Sequence, residues 1–289
     1  METFAHAGFT FEVTDTPAES GGEVTETVVL LHGFPEDRHS WDRVAPVLAA
    51  AGYRVLAPDL RGYSPRARPV ARSAYALARL GDDVLALAAA ADIERFHVVG
   101  HDWGAALAWY LAATHPHRLR SLTALSVPHP MAFARAMFTG SQAVRSWYMA
   151  ACQVPWLPEA VLSAGGGRML RDGLIRSGLD PESAARYATR ASRRRDLRGP
   201  VNWYRGLPFG LRRPVARIEV PTLYVWGTGD RYISRAAAQL CRRQVTGPYR
   251  YEALDGASHW LPEADSERIS VLLSEHLADV SARAARSSR

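Results

Sequence analysis

The chain has 289 residues, 47% hydrophobic and 22% charged, enough for a globular protein with one large domain or one domain carrying a sizeable insertion. All 35 basic residues are arginine, with a net charge of +6, so chemistry that needs a Schiff-base lysine or a lysine phosphate loop is excluded. No apolar run approaches the roughly 20 residues of a membrane-spanning helix, no secretory signal opens the chain, and only Cys152 and Cys241 are present, so a cytoplasmic location is expected.

Buried strands are predicted at residues 27–31, 53–57, 96–99 and 122–127, separated by helical patterns at 41–50, 73–90 and 105–114. Continuous apolar strands alternating with helices predict a mostly parallel sheet covered on both faces. The rhythm breaks from residue 129 to 215, which reads as helical, arginine-rich and punctuated by Pro155, Pro158, Pro181, Pro200 and Pro208. It resumes with strands at 222–226 and 249–254, a helix from Ser234 and a closing helix near 264–277, after which an Ala, Arg and Ser tail is expected to fray. The organisation read here is therefore a sheet domain, 1–128 and 216–289, interrupted by a helical cap, 129–215. The densest basic cluster, Arg193, Arg194, Arg195 and Arg198, falls on a helix surface of that insertion, and no nucleic-acid partner is expected.

The sharpest local feature is Gly100-His101-Asp102-Trp103-Gly104 between a buried strand and a helix. Glycines on both sides permit a tight strand-to-helix turn with strained backbone at the centre, which lifts the Asp102 side chain clear of the sheet at a helix N-terminus. An aspartate before a helix is by itself more often a cap. Here the turn has the form of a nucleophile elbow, with Asp where Ser is more usual. A serine alkoxide acylates; a carboxylate instead displaces a leaving group at saturated carbon and leaves an alkyl ester. Epoxides and alkyl halides are the substrates to which that chemistry points.

Such an ester needs water, a general base and a carboxylate to orient the base. His259, in the loop after the last strand, fits by position and chain order, with His101, His129 and His97 as competitors. Asp230, just past the strand at 222–226, is the expected acid, with Asp255 as the alternative. His32-Gly33-Phe34-Pro35 follows the first strong strand, where such a loop supplies an oxyanion-hole N–H, so the backbone of Phe34 pairs with that of Trp103. No ligand cluster with recognisable spacing appears, and neither a metal nor an organic cofactor is implied.

Leu31-His32-Gly33-Phe34-Pro35-Glu36, Asp59-Leu60-Arg61-Gly62-Tyr63-Ser64, Gly100-His101-Asp102-Trp103-Gly104, Ser146-Trp147-Tyr148-Met149 with Gln153-Val154-Pro155, and Asn202-Trp203-Tyr204-Arg205 together resemble the epoxide-hydrolase family of the α/β-hydrolase fold. The resemblance runs from about residue 9 to 277. It implies an α/β-hydrolase fold with a cap whose Tyr148 and Tyr204 hydrogen-bond an epoxide oxygen, and a vicinal diol as product. Phenols with a pKa of about 10 stay protonated and can serve the leaving alkoxide. The alternatives are a haloalkane or haloacid dehalogenase with the same Asp-His-Asp set, and a ligand-binding protein that retained only the fold. A dehalogenase needs N–H donors for halide; Trp103, Trp147, Trp156 and Trp203 are available, but Phe34 stands where many of those enzymes carry asparagine. The partner expected is a small, apolar epoxide, bound by a monomer or homodimer, with Phe133, Phe138, Trp156 and Phe209 among the residues expected to shape an apolar pocket.

Overall fold

A computed structural model describes residues 1–19, 26–210 and 214–287; residues 211–213 of the expected cap and the last two residues of the tail lie outside it. The chain opens with a hairpin of β1 (Thr3–His6) and β2 (Phe9–Thr16). Its two-residue connection, Ala7 and Gly8, has φ of 48° and 80°, the pair of positive angles that matches strand twist in a tight hairpin. The sequence reading assigns no element here, although Phe9, Phe11 and Val13 alternate with Thr10, Glu12 and Thr14.

Strands β3 (Thr27–Leu31), β4 (Arg54–Pro58), β5 (Phe96–His101), β6 (Leu119–Leu125), β7 (Thr222–Gly227) and β8 (Tyr249–Leu254) complete an eight-stranded sheet in the order β1-β2-β4-β3-β5-β6-β7-β8. The hairpin joins antiparallel to β4, and every pairing from β4 to β8 is parallel. Helices α1 (Ala45–Ala50), α2 (Leu77–Ala90) and α3 (Trp103–Thr114) form the early crossovers. The two-residue period of a strand sorts its side chains into two cores. Val28, Leu30, Val99, Leu223 and Val225 pack with Trp41, Val44 and Leu48. Val29, Leu31, Val98, Tyr224 and Trp226 face the other way, toward Val84, Leu107 and Trp109. Both faces being apolar explains why these strands read as unbroken hydrophobic runs.

Between β6 and β7 the described chain is helical: α4 (Pro130–Thr139), α5 (Gln142–Arg145), α6 (Trp147–Ala151), α7 (Leu157–Leu162), α8 (Arg168–Arg176), α9 (Pro181–Arg190) and α10 (Arg194–Gly210). Pro158 and Pro181 sit in first turns, where the missing N–H costs nothing. Pro200 and Pro208 depart from the reading as breaks, since both lie inside α10. After β7 come α11 (Arg235–Leu240), α12 (Leu261–Ala264) and α13 (Ser266–Ser287). The tail does not fray at Leu277: α13 continues through buried Val280, and Ser281 bonds Glu26 and the Leu277 carbonyl. Alanine and arginine are good helix formers, and that propensity outweighs their polar, terminal context here.

Helix α9 fastens this helical stretch to the sheet. Arg190 bridges Asp37 and Asp59, while Arg186 and the Tyr187 hydroxyl donate to buried Glu263 on α12. Burial and then the nearby Glu36 carboxylate push Glu263 up to about 8, against the opposing pull of Tyr187 and Arg186. A carboxyl raised in the folded state stabilises fully below its ordinary pKa of 4.5 and loses that contribution as pH rises through about 8. Glu263→Gln keeps the neutral form at every pH while retaining an acceptor for Tyr187. It is expected to raise the melting temperature near pH 9 by about 2–4 °C or more and to leave that near pH 5 little changed. Equal shifts at both pH values would show that Glu263 does not titrate between them.

Candidate active site

Asp102 occupies the turn between β5 and α3 with φ of 49° and ψ of −115°, a conformation that costs a non-glycine residue about 1–3 kcal/mol. Close packing leaves the turn little alternative. A Cβ on Gly104 would lie 2.1 Å from the Leu31 carbonyl oxygen, and one on Gly33 would lie 2.4 Å from the Asp102 Cβ. Only glycine lets the start of α3 and the loop after β3 close on the aspartate from both sides. In that loop the Phe34–Pro35 bond is cis, and the Phe34 N–H donates to Asp102 Oδ1 at 2.9 Å. The loop itself is tied down, with His32 accepting from the Leu60 N–H at 3.0 Å and Glu36 accepting from the Gly33 N–H at 2.7 Å.

His259 stands across from the free oxygen, its Nε2 3.4 Å from Asp102 Oδ2. Its Nδ1 is 2.8 Å from Asp230 Oδ2, and Asp230 Oδ1 accepts the N–H groups of Tyr232 and Ile233 at 2.7 and 2.9 Å. Burial by itself disfavours a charged imidazole, but the two flanking carboxylates outweigh it and hold His259 well above its usual pKa. Burial likewise acts to raise Asp102, and His259, His101 and the Phe34 N–H together bring its carboxyl below the ordinary value. Both effects describe one ion pair: Asp102 ionised, His259 carrying a proton.

Ser126, which the sequence did not single out, and His101, there a competitor for the base, fix His259 by its main chain. The Ser126 hydroxyl and His101 Nε2 reach the His259 carbonyl at 2.7 and 2.8 Å, and His101 Nδ1 reaches Glu36 Oε2 at 2.9 Å. Ser126, at the end of β6 with φ of 66°, carried no sequence signal beyond its strand end. The competing groups are engaged elsewhere. His97 meets Ser121 and Glu26, His129 caps α4 with its pKa lowered to about 4 by burial, and Asp255 is an exposed turn residue bonded to Thr228.

Tyr148 on α6 and Tyr204 on α10 pack edge to face at 5.9 Å between centroids and line the same cavity as Asp102, Phe34 and His259. Tyr204 packs further against Trp103 at 5.0 Å and Phe34 at 5.4 Å. Its sequence neighbours lock its helix in place. The Trp203 indole donates to the Arg61 carbonyl at 2.8 Å, and buried Arg205 grips Glu159 and the Cys152 and Val154 carbonyls. Gln153 donates to the Tyr204 carbonyl at 2.9 Å. Burial, and then the charges and phenols nearby, push both tyrosines well above 10, so both remain neutral donors.

The cavity measures about 640 Å³. The aromatic lining expected from sequence is not what forms it: Phe133, Phe138, Trp156 and Phe209 are all absent from its wall, Phe138 and Trp156 pointing into solvent. Their place is taken by aliphatic side chains such as Leu157, Val161, Leu162, Leu170 and Leu174, together with Trp260 and Tyr232. Short amphipathic helices turn their aliphatic stripe inward, and single aromatic residues do not reveal which stripe that is. Asp230 and Trp103 lie just behind the wall. Of the indoles, Trp203 is committed to the Arg61 carbonyl and Trp260 to the Ser177 hydroxyl, which leaves Trp147 as the one other indole on the wall among the described residues. Among the described residues no group of three or more His, Cys, Asp or Glu is placed to hold a metal ion.

With this geometry in view, the comparisons are consistent. The α/β hydrolase fold family matches residues 26–265. An AB hydrolase superfamily protein of Bacillus subtilis is 35% identical over 90% of this chain and 93% of its own. Epoxide hydrolase A of Mycobacterium tuberculosis is 31% identical over 92% of this chain and 94% of its own. The crystal structure of epoxide hydrolase A from Mycobacterium thermoresistibile superimposes with a TM-score of 0.80 at 27% identity, covering 96% of this chain and 97% of the other. A family model over most of the chain and relatives such as these make the chain a member of the epoxide-hydrolase family of the α/β-hydrolase fold.

Proposed function

We propose that the protein opens a small apolar epoxide to a vicinal diol, with residues 129–215 serving as the cap over the reacting atoms. The observation that carries the reading is the pairing of Tyr148 and Tyr204 on the wall of the cavity that holds Asp102. An epoxide oxygen becomes an alkoxide as its ring opens, and two neutral phenols meet that need. A departing halide would instead call for two N–H donors, and the Trp203 indole already has a partner. Buried, unpaired Cys152 and Cys241 accord with a cytoplasmic setting.

The two oxygens of Asp102 have different tasks. Oδ1 is held by the Phe34 N–H, so Oδ2 attacks an epoxide carbon from the side opposite its oxygen. The C–O bond breaks, the oxygen takes a proton through Tyr148 and Tyr204, and an alkyl ester forms. Esterification removes the charge of one of the two carboxylates that hold the proton on His259, so the imidazole becomes easier to deprotonate. The proton it yields balances the one the alkoxide takes up. Neutral His259, oriented by Asp230, then deprotonates a water that attacks the ester carbonyl. The oxyanion forms on Oδ1, where the N–H groups of Phe34 and Trp103 receive it. Its collapse breaks the bond between the carboxyl carbon and the ester oxygen, and the departing alkoxide takes the proton left on the water-derived oxygen. The diol leaves with Asp102 ionised and His259 protonated again. No cofactor takes part in this sequence.

Diol formation from a panel of aryl and alkyl epoxides, run beside matched halides and an Asp102→Asn control, tests the reading. Turnover of an epoxide is expected in the wild type and is lost in the variant; halide release without diol would move the assignment to a dehalogenase. His259→Gln should still be alkylated but release product at least about a thousandfold more slowly, so that intact-mass spectrometry finds protein heavier by one substrate. Each single Tyr148→Phe or Tyr204→Phe substitution should slow alkylation in single turnover by about 10–100-fold, and the double variant more, with the hydrolysis step little affected. Slow hydrolysis with normal alkylation would place the phenols in the second step instead.

A further inference from the structure

The insertion differs from the rest of the chain in both charge and surface polarity. Residues 129–215 hold fourteen arginines against five carboxylates, while the remaining residues hold 21 against 24. Of the thirteen large hydrophobic side chains exposed among the described residues, ten lie between residues 138 and 209. They are not scattered. Val144, Trp147, Leu157, Val161 and Met169 are both exposed and part of the cavity wall, so they form its mouth, with Trp147 at 69% exposure and neighbouring Trp156 at 70%. Arg176 and Arg231 stand on the same rim, exposed and without a carboxylate partner among the described residues; the cavity's own carboxylate is Asp102 at its base.

An apolar rim set among free cations does not suit bulk water, and its chemistry selects among partners. Indole and aliphatic groups enter the boundary of a bilayer, while guanidinium groups bind the phosphates above it. A second copy of this chain would bring another cationic rim against this one, and like charges would oppose the contact. We propose that the rim formed by α5 to α8 docks on an anionic lipid bilayer, so that the mouth opens toward the membrane and an epoxide dissolved there enters without crossing water. The choice of epoxide rests on the function proposed above; the docking does not. The membrane is touched rather than crossed, since among the described residues no helix is long and apolar enough to span one.

Co-sedimentation with large unilamellar vesicles separates the possibilities. The protein is expected to pellet with vesicles of phosphatidylcholine and phosphatidylglycerol, far less with phosphatidylcholine alone, and to be released by salt. Arg176→Glu combined with Arg231→Glu should lower partition at least about tenfold, as should Trp147→Glu with Trp156→Glu. Arg79→Glu, an exposed position on α2, should leave it within about twofold. Equal loss with Arg79→Glu would reduce the effect to net charge and overturn the docking geometry. Absence of vesicle binding would overturn it too, as would a wild-type dimer in sedimentation that the rim substitutions dissociate. These readouts need no catalysis. Binding without diol from any epoxide would leave the docking standing and remove the substrate, and diol without binding would do the reverse.

Discussion

The site depends on one strained backbone conformation. Asp102 holds a positive φ because β5 ends where α3 begins, and because Gly33, Gly100 and Gly104 let three chain segments approach more closely than any Cβ would permit. Relaxing the turn would bring no local gain, since the same contacts seat α3 on the sheet and place the Phe34 N–H on the carboxylate. The strain is therefore sustained by packing, and it presents one oxygen to a fixed donor and the other to the cavity.

His259 shows the complementary constraint. Its ring is placed between two carboxylates, but its backbone is placed by Ser126 and His101 from β6 and β5. The loop that bears it could otherwise move, because loops lack ladder hydrogen bonds. His101 in turn leans on Glu36, and Glu36 also holds the Gly33 N–H. The proposed base and the proposed oxyanion loop thus share an anchor. Glu263, raised by burial and then by the charge of Glu36, and bonded to Tyr187 and Arg186, extends that anchor into α9. Helix α9 is thereby tied to the same buried polar cluster that positions the histidine.

Legibility in the sequence followed the range of the forces involved. The elbow around Asp102 was readable because glycine spacing and a strand-to-helix switch are local. The parallel sheet was readable because burial on both faces produces continuous apolar runs. Tyr148 and Tyr204 could be singled out from eleven tyrosines only through their surrounding strings. The structure supplies the physical reason for one of those strings: Trp203, Arg205 and Gln153 each make a contact that fixes the Tyr204 helix. What escaped was set by distant partners. Arg205 with Glu159, Tyr187 with Glu263 and Ser126 with His259 are pairings between residues far apart, with no periodicity to announce them. The cavity wall escaped for the same reason, since short helices can present either stripe to the site.

Charge distribution gives the last step. Residues 1–128 and 216–289, whose acids outnumber their arginines, flank a segment, 129–215, with nearly three arginines for every acid, and among the described residues the two are joined by a few buried or half-buried ion pairs rather than by general attraction. Those pairs use Arg186 and Arg190 on the helical side, and Arg68 on the sheet side with Asp196 as its partner. The arginines on the rim are left to solvent, beside the apolar side chains that the cavity wall shares with the surface. Burying those apolar groups inward would close the mouth, and replacing them with polar ones would wet the approach to a site whose proposed ester must meet only the water that His259 activates. An exposed apolar rim is thus a consequence of keeping the cavity dry while leaving it open, and free arginines keep such a rim from associating with its own kind.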